Sequence, residues 1–257
     1  MSFVILFSAF VSMASAQTIV RSDLEDVFAR TGLGGTFVVL TPSQNRMILI
    51  NPGRAKERFI PASTFKIANS LIALNTDVVA DENEVIPYGG KRQPIKSWEK
   101  DMSMRDAIKI SNVPVYQEIA SRVGRDRYLD WLGRLGYGNQ QVGDDVQSFW
   151  LQGPLKISAL EQVGFLAQLI SKELPASRSS QSTVMDMLKL ERSDDETLFG
   201  KTGWTNAPDP DIGWFVGWIT KGETVHVFAL NMDIKNTADA KLRKSITKLL
   251  LGKLEII

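Results

Sequence analysis

The stretch PASTFKIANS, residues 61–70, places a serine three residues ahead of a lysine at the start of an apolar helical pattern. Serine is typical of helix N-termini, and side chains three residues apart share one helical face. We therefore expect Ser63 and Lys66 to be neighbours. The apolar residues around them predict that the helix is buried, which is unfavourable for an ammonium group unless it is paired or deprotonated. Lys66 is thus a candidate base.

The S-x-x-K spacing occurs three times, at Ser63/Lys66, Ser97/Lys100 and Ser245/Lys248. The second copy lies in SWEKDMS, a charged stretch typical of a loop, and the pattern around the third predicts that its lysine faces solvent. Only the first copy begins a buried helix, where aligned backbone N–H groups help to stabilise negative charge. The alternative for Ser63 is an ordinary helix cap.

A second motif, ISNVPVY, follows at residues 110–116. Pro114 cannot donate an N–H and disfavours helical geometry at Val113. We therefore expect Ser111, Asn112 and Val113 to form a break between two helices that presents side chains to a cleft. The alternative is that Pro114 simply begins the next helix.

The third motif is LFGKTGW, in which Lys201-Thr202-Gly203 occurs once. A phosphate-binding P-loop needs a glycine five residues before Gly200, but this chain has Asp195 there. We expect instead that Gly203 lets a substrate backbone lie close along a strand edge, beside a cation and a hydroxyl. Strict alternation would place Lys201 and Thr202 on opposite faces, which leaves their common site unexplained.

The composition excludes several classes of protein. With 257 residues, 44% of them hydrophobic and 23% charged, the chain is long and apolar enough for a folded core, and nothing in the composition suggests disorder. The formal net charge of +1 gives no general attraction to nucleic acid or to an anionic membrane, so we predict neither as a partner. Nothing in the composition chooses between a monomer and a homodimer.

The chain has no cysteine and a single histidine, His226. Zinc sites need several nitrogen or sulfur ligands, and a Ser-His-Asp triad would have to use this one histidine. His226 lies in the alternating pattern of ETVHVFALNMD, which is typical of a packed strand residue. We therefore predict no metal, no disulfide and no thiol nucleophile.

Residues 1–16 resemble a secretory signal peptide. Residues 2–13 are apolar and precede Ala14-Ser15-Ala16, a small-residue cleavage pattern that would leave Gln17 first, although no Lys or Arg precedes the apolar run. This run is too short to span a bilayer, and no later segment reaches the ~18 apolar residues required. We therefore predict a periplasmic protein without a membrane anchor.

Periodicity predicts three blocks of secondary structure. First come a helix near residues 21–32, with Ser22 and Glu25 at capping-box spacing, and two strands, GTFVVL and RMILIN, joined at residues 41–45. Helices then follow at residues 63–74, 104–110, 114–123, 125–135 and 158–174. The strands TLFGKTGW, GWFVGWIT and ETVHVFALNMD come last, before a closing helix at residues 238–254.

These blocks predict an α+β fold with an antiparallel sheet from both chain ends, flanked by terminal helices, and an inserted helical region. Without a repeat or polar linker, we expect one domain over residues 17–257. Its sheet part would cover about 17–60 and 181–257, and its helical part about 61–180. A cleft should lie at their junction, where Ser63 lies.

Ser-x-x-Lys, Ser-x-Val and Lys-Thr-Gly, in this order, resemble the motifs of the penicillin-recognising serine enzymes. Together with YGN at residues 137–139, FWLQGPLKIS at 149–158 and LRKSI at 242–246, PASTFKIANS, SNVPVYQ and KTGW resemble a class D β-lactamase, an oxacillinase. The resemblance covers nearly the whole chain after residue 16. Class A is disfavoured because the middle motif is Ser-Asn-Val where Ser-Asp-Asn would be expected.

This resemblance implies a role for each matching residue. Ser63 would attack the carbonyl of a β-lactam substrate, and Lys66 would be the general base, carbamylated by CO2 as N6-carboxylysine. Ser111 would relay a proton to the leaving nitrogen. Around the carbamate would lie Trp150 and Val113. The substrate would be bound by Lys201, Thr202, Gly203 and Arg243, with its carboxylate at Lys201, Thr202 and Arg243. The oxyanion hole would be formed by the backbone N–H groups of Ser63 and Trp204.

Elementary chemistry is consistent with the roles implied for Lys66, Arg243 and Trp150. A lysine near its reference pKa of ~10.4 is protonated, so burial must lower the pKa of Lys66 before it accepts a proton or reacts with CO2. Arg243 borders the apolar face of its helix and could point inward or be solvated. Trp150 is either an ordinary core residue or a donor to the carbamate, since its buried N–H needs an acceptor.

Two other functions share the same motifs. A penicillin-binding sensor domain is acylated but does not turn the adduct over; receptors of that kind carry membrane helices and H-E-x-x-H, which are lacking here. A peptidoglycan transpeptidase or carboxypeptidase is the second alternative, for which we would expect an anchor or extra domains. Hydrolysis of β-lactams, conferring resistance, is the interpretation we favour.

Overall fold

The computed structural model describes residues 16–193, 195–205 and 210–257. Its α-helices are Asp26–Ala29 (α1), Pro52–Lys56 (α2), Lys66–Asn75 (α3), Met104–Lys109 (α4), Val113–Val123 (α5), Arg125–Leu135 (α6), Ala159–Ser171 (α7), Arg178–Met187 (α8) and Asp239–Lys253 (α9). Its strands are Gln17–Val20 (β1), Gly35–Thr41 (β2), Arg46–Ile50 (β3), Val85–Ile86 (β4), Met102–Ser103 (β5), Lys189–Arg192 (β6), Glu196–Thr205 (β7), Asp211–Lys221 (β8) and Thr224–Ile234 (β9). The predicted signal peptide lies outside the described residues apart from Ala16.

The large sheet joins the two ends of the chain, as the sequence predicts. Its strand order is β1-β3-β2-β9-β8-β7-β6. The neighbours pair antiparallel except at one edge, where β1 runs parallel to β3, so the sheet is mixed and not purely antiparallel. The tight connection between β8 and β9 falls at Gly222, which adopts a positive φ of 56°. The α+β fold class is therefore confirmed.

Both faces of the sheet are covered, which explains why β2 is buried along its whole length. On one face Val38 and Ala229 pack with the helices that follow Ser63, and on the other Phe37 and Leu230 pack with α1 and α9. Alternate side chains of one strand thus enter different cores. Helix α7 lies directly on β2 and β9 and ties the helical region to the sheet.

Several predicted elements differ in detail. Residues 22–24 form a 3-10 turn followed by the single turn of α1, and Ser22 makes no capping bond, so the predicted capping box is wrong. Arg21 forms an ion pair with Asp23 at 2.7 Å instead, which organises this turn. Periodicity also does not indicate the helices α2 and α8 or the strands β1, β4, β5 and β6. All four residues of β6 are exposed, so no alternation of apolar residues marks that strand.

Two of the quoted motifs lie at the starts of helices. The 3-10 turn Ala62–Phe65 precedes α3, and the Ser63 side chain makes no capping bond, which rules out the ordinary-cap alternative. In ISNVPVY, Asn112 caps α5 by accepting the Val115 N–H at 3.1 Å, and Val113 is already helical. The break therefore comprises only the residues before Val113, and Pro114 lies in the first turn of α5, where a missing N–H is tolerated.

Within the described ranges, no helix is both long and apolar enough to cross a membrane.

Candidate active site

The candidate nucleophile lies in a strained turn. Ala62, the residue before Ser63, adopts a positive φ of 49°, and Ser111 on the neighbouring segment adopts 56°. This region is unfavourable for residues with a side chain, and such backbone strain is concentrated at functional sites. Ser63 is 8% exposed, so this turn is almost fully buried.

Lys66 lies beside Ser63, as the spacing predicts. Its Nζ is 3.0 Å from Ser63 Oγ, although the lysine side chain is completely buried. The ammonium nitrogen is enclosed by two aromatic rings, lying 4.5 Å from the centroid of Trp150 and 5.1 Å from that of Tyr116. Burial, and then the positive charge of Lys201, lower the pKa of Lys66 well below its ordinary 10.5. The amine is thereby available as a base.

A second serine–lysine pair faces the first. The Lys201 ammonium donates a hydrogen bond to Ser111 Oγ and another to the carbonyl oxygen of Thr202 at 3.0 Å. Burial, with the charges of Arg243 and Lys244, lowers the pKa of Lys201 to about 7. Because the charge of Lys201 also depresses the pKa of Lys66, the two pairs belong to one electrostatic unit.

Contacts of the two glycines in β7 show which side of the strand Thr202 and Gly203 face. Gly200 is packed against Phe215 on the α9 side, so Thr202 faces that side too, whereas Gly203 faces the Ser63 turn. The Lys201 ammonium donates to the Thr202 carbonyl oxygen, so its charge lies beside the backbone of the threonine. Pairing with β6 stops at Phe199, so this part of β7 is an open edge.

Gly203 is required by a close contact with the turn that carries Ser63. A Cβ there would lie 2.9 Å from the Pro61 carbonyl oxygen and 3.1 Å from Thr64 Cγ2, so the glycine lets β7 lie against the nucleophile turn. The expectation that it also lets a substrate backbone lie along the strand edge stays a prediction. Its carbonyl oxygen accepts a hydrogen bond from the Arg243 guanidinium.

Arg243 points inward from α9. Its Nε also donates to the Ala240 carbonyl oxygen at 2.6 Å, and burial lowers its pKa to about 10. This arginine is therefore not a solvated helix residue. Trp204, the next residue of β7 after Gly203, has an exposed indole whose N–H donates to Asp211 at 2.9 Å. The roles predicted for Arg243 and for the Trp204 backbone N–H stay predictions.

Trp150 is fully buried, and its indole N–H has no hydrogen-bond partner among the described residues. A buried donor without an acceptor is unfavourable, so its persistence needs an explanation. The ring lies against Lys66, and Val113 is half-buried against the same apolar cluster. An acidic group on the Lys66 nitrogen would be the acceptor that the indole lacks.

The site is cationic without compensating acids. Across the described residues, no ion pair involves Lys66, Lys201 or Arg243. The chain as a whole is nearly neutral, so this clustering of positive charge is local. Such a site favours an anionic ligand or an anionic modification.

His226, Ser97 and Lys100 lie where their sequence patterns predict. His226 is buried in β9, where its Nδ1 shares a 2.8 Å hydrogen bond with Thr41 Oγ1. Ser97 and Lys100 are exposed on a 3-10 turn and the residues after it. In the parts of the chain that are described, no cluster of His, Cys, Asp or Glu has the arrangement of a metal site.

Sequence reasoning missed the residues that support the site. Tyr116 lies within a quoted motif but was given no role; its hydroxyl is 2.7 Å from Ser70 Oγ, which donates to the Lys66 carbonyl oxygen at 2.8 Å. Gln162 donates to Thr64 Oγ1 at 2.8 Å, and the Trp214 indole donates to the Ile60 carbonyl oxygen at 2.9 Å. The sequence offers one sign of this network, because Gln162 is a polar residue on the apolar face of α7.

Comparison with known proteins places this site in a family. The profile of the penicillin-binding protein transpeptidase domain matches residues 35–252. The chain is 40% identical over 233 residues to β-lactamase OXA-5 of Pseudomonas aeruginosa, covering 90% of this chain and 87% of the relative. It is also 40% identical to β-lactamase OXA-48 of Klebsiella pneumoniae over 223 residues, covering 87% and 84% of the two chains.

A solved structure shows the same relationship. The crystal structure of FUS-1 (OXA-85), a class D β-lactamase from Fusobacterium nucleatum subsp. polymorphum, superposes with a TM-score of 0.90 at 40% identity. The match covers 93% of this chain and 100% of that one. Because this chain matches these proteins in sequence and in structure over nearly its full length, it belongs to the class D serine β-lactamases.

Proposed function

We propose that this chain hydrolyses β-lactam antibiotics through an acyl-enzyme on Ser63, with carbamylated Lys66 as the general base. The observation that carries the proposal is the 3.0 Å contact between the Ser63 hydroxyl and a fully buried lysine nitrogen. Burial that lowers the pKa of Lys66 keeps the amine neutral, which is the form that reacts with CO2.

Acylation consumes the strained lactam bond. Ser63 Oγ bonds to the lactam carbonyl carbon while its proton passes to the base at Lys66. The C–N bond then breaks, and the base returns its proton to the lactam nitrogen through Ser111, which is hydrogen-bonded to Lys201. The product is an ester between Ser63 and the ring-opened substrate.

Deacylation uses the same base a second time. A water molecule loses a proton to the base and attacks the ester carbonyl carbon, and the leaving Ser63 oxygen recovers a proton. The carbamate supplies an anionic oxygen for both steps. Support for this modification comes from Trp150, whose buried indole N–H lacks an acceptor beside the Lys66 nitrogen.

The substrate carboxylate fits the cationic part of the site. Lys201, Thr202 and Arg243 are joined through β7, and Lys201 and Arg243 have no acidic partner within the described residues. For the oxyanion, we propose the backbone N–H groups of Ser63 and Trp204, because the close approach of Gly203 to Pro61 brings these segments together. Each such donor stabilises a tetrahedral intermediate by roughly 3 kcal/mol.

The N-terminal pattern supports action in the periplasm, where hydrolysis of the antibiotic would confer resistance. Residues 1–16 carry the apolar run and the small-residue site on which this part of the proposal rests.

The deciding experiment is nitrocefin turnover with bicarbonate added or CO2 removed, combined with mass spectrometry of the protein after addition of a penicillin. We expect turnover that falls on CO2 depletion and on acidification, because both remove the carbamate, and a transient adduct on Ser63. Turnover that is unchanged after CO2 removal would refute the carbamate. A lasting adduct without turnover would instead identify a sensor, and cleavage of D-alanyl-D-alanine peptides without nitrocefin turnover would identify a peptidase.

A further inference from the structure

The turn that carries Ser63 is fixed through one carbonyl group, that of Pro61. The Thr64 N–H donates to this oxygen at 3.2 Å and the Thr64 hydroxyl donates to it at 2.7 Å. Gly203 of β7 packs against the same atom. Ser63 lies between Pro61 and Thr64, so these contacts determine where its backbone and hydroxyl are held.

Gln162 is hydrogen-bonded to the Thr64 hydroxyl. Its Nε2 donates to Thr64 Oγ1 at 2.8 Å, and both side chains are almost fully buried, Gln162 at 1% and Thr64 at 0% exposure. A hydroxyl has a single proton and accepts through its lone pairs. The Thr64 proton is directed at the Pro61 carbonyl, and Gln162 donates to a lone pair of the same oxygen, so one hydroxyl links α7 to the turn.

This restraint acts on a strained backbone. Ala62 has a positive φ of 49°, which is unfavourable for alanine, so the turn would relax if it were released. On the other side of Pro61, the Trp214 indole holds the Ile60 carbonyl at 2.9 Å. The strained residue thus lies between two buried anchors, one from the sheet and one from α7.

We infer that Gln162 is a positioning residue for acylation: through Thr64 and the Pro61 carbonyl, it holds the Ser63 hydroxyl in line with Lys66 and with the incoming carbonyl carbon. The inference rests on the proposed function, because acylation of Ser63 is the step it serves. Gln162 lies one residue beyond Thr64 in this chain of hydrogen bonds and does not touch the nucleophile itself.

The test compares Gln162→Leu with a matched control, Gln181→Leu. Gln181 is also a buried glutamine, but its amide donates to the carbonyls of Leu174 and Ala176 in a different part of the helical region. Single-turnover kinetics with nitrocefin give the acylation rate constant and the substrate Kd, and thermal melting checks that both variants are folded. We expect Gln162→Leu to slow acylation about tenfold with the Kd almost unchanged, since one buried hydrogen bond is lost.

Gln181→Leu should lower Tm and leave the acylation rate within about twofold of the wild type. Equal slowing in both variants, or slowing that appears only in Kd, would overturn the inference. A wild type that forms no penicillin adduct would instead overturn the proposed function, so the two failures are distinguishable.

A second pair of variants keeps the inference testable if Gln162→Leu does not fold. Thr64→Ser keeps the hydroxyl and should retain the wild-type acylation rate, whereas Thr64→Val should lose about as much as Gln162→Leu. When Gln162→Leu folds, adding it to Thr64→Val should cause no further slowing, because both changes break one chain of contacts. Independent, multiplicative effects would contradict the arrangement, as would a Thr64→Val variant with the wild-type rate.

Discussion

Two copies of the same four-residue spacing have opposite properties in this molecule. Ser63 and Lys66 are both buried, with their polar atoms 3.0 Å apart. Ser245 and Lys248 lie on the exposed side of α9, where the serine hydroxyl donates to the Leu242 carbonyl and the lysine pairs with Glu191 at 2.7 Å. Spacing alone therefore brings two residues to one helix face and determines nothing about their chemistry.

The difference lies in what surrounds the lysine nitrogen. Lys66 is enclosed by aromatic rings and affected by the charge of Lys201, so its pKa is lowered. The Lys248 side chain is 49% exposed and lies beside the Glu191 carboxylate, so its nitrogen is neither enclosed by rings nor removed from water. Desolvation, rather than sequence spacing, makes an amine a base.

The largest effect should come from removing each serine in turn. Ser63→Ala is expected to reduce nitrocefin turnover by a factor on the order of 10³ or more, because the acyl-enzyme no longer forms. Ser245→Ala should leave turnover unchanged within about twofold, since an exposed hydroxyl on α9 has no part in the reaction. Ser63→Ala protein that still hydrolyses nitrocefin would show that another residue is the nucleophile.

A smaller effect should follow from changing the enclosure of Lys66 while keeping the lysine. Trp150→Phe keeps a ring and removes the indole N–H; we expect bicarbonate to bind about 10- to 100-fold more weakly, since a hydrogen bond to a charged group is lost. Activity as a function of bicarbonate, and carbon-13 NMR of a labelled carbamate carbon, measure this change. Trp131→Phe is the matched control: Trp131 is buried beneath Arg134 and should leave the bicarbonate dependence as it was.

The smallest effect is on stability, and it has a definite sign. Because the folded-state pKa of Lys66 lies below the unfolded value, the unfolded chain binds the extra proton between those two pKa values, and stability rises with pH over that window. Lys66→Met should therefore stabilise the protein in CO2-free buffer by about 0.5–2 kcal/mol, more at about pH 6 than at about pH 10. Urea unfolding at both pH values measures this gain.

Lys248→Met provides the comparison for stability. An exposed ion pair contributes little, so its loss should change the free energy of unfolding by less than about 1 kcal/mol. A gain for Lys66→Met that is independent of pH would show that improved packing, and not the removal of a desolvated amine, is its cause.

The sequence was sufficient for features that repeat along the chain. Alternation and helical periodicity located both parts of the sheet, and the spacing of Ser63 and Lys66 correctly predicted their contact. Order along the chain, together with the quoted motifs, identified the family that the comparisons confirm. The predicted roles of Ser111, Lys201 and Arg243 remain to be tested, although the structure brings these residues together.

What the sequence could not supply arises from contacts between distant segments. The parallel pairing of β1 depends on β3 and not on its own four residues, and β6 is too exposed to show a pattern. The need for a glycine at position 203 comes from the Pro61 carbonyl, which lies against it and is distant in sequence. Gln162 and Thr64 are 98 residues apart, so no local pattern connects them.

The pairing of β2 with β9 has a consequence for the order in which the molecule can form. The Gly34 N–H meets the Asp233 carboxylate at 3.1 Å across 199 residues, and the adjoining strands pair from there. The first hairpin therefore has no central partner until nearly the whole chain has been synthesised, and such long-range closure is slow. The centre of this sheet therefore closes late, after the helical region that packs on it has been synthesised.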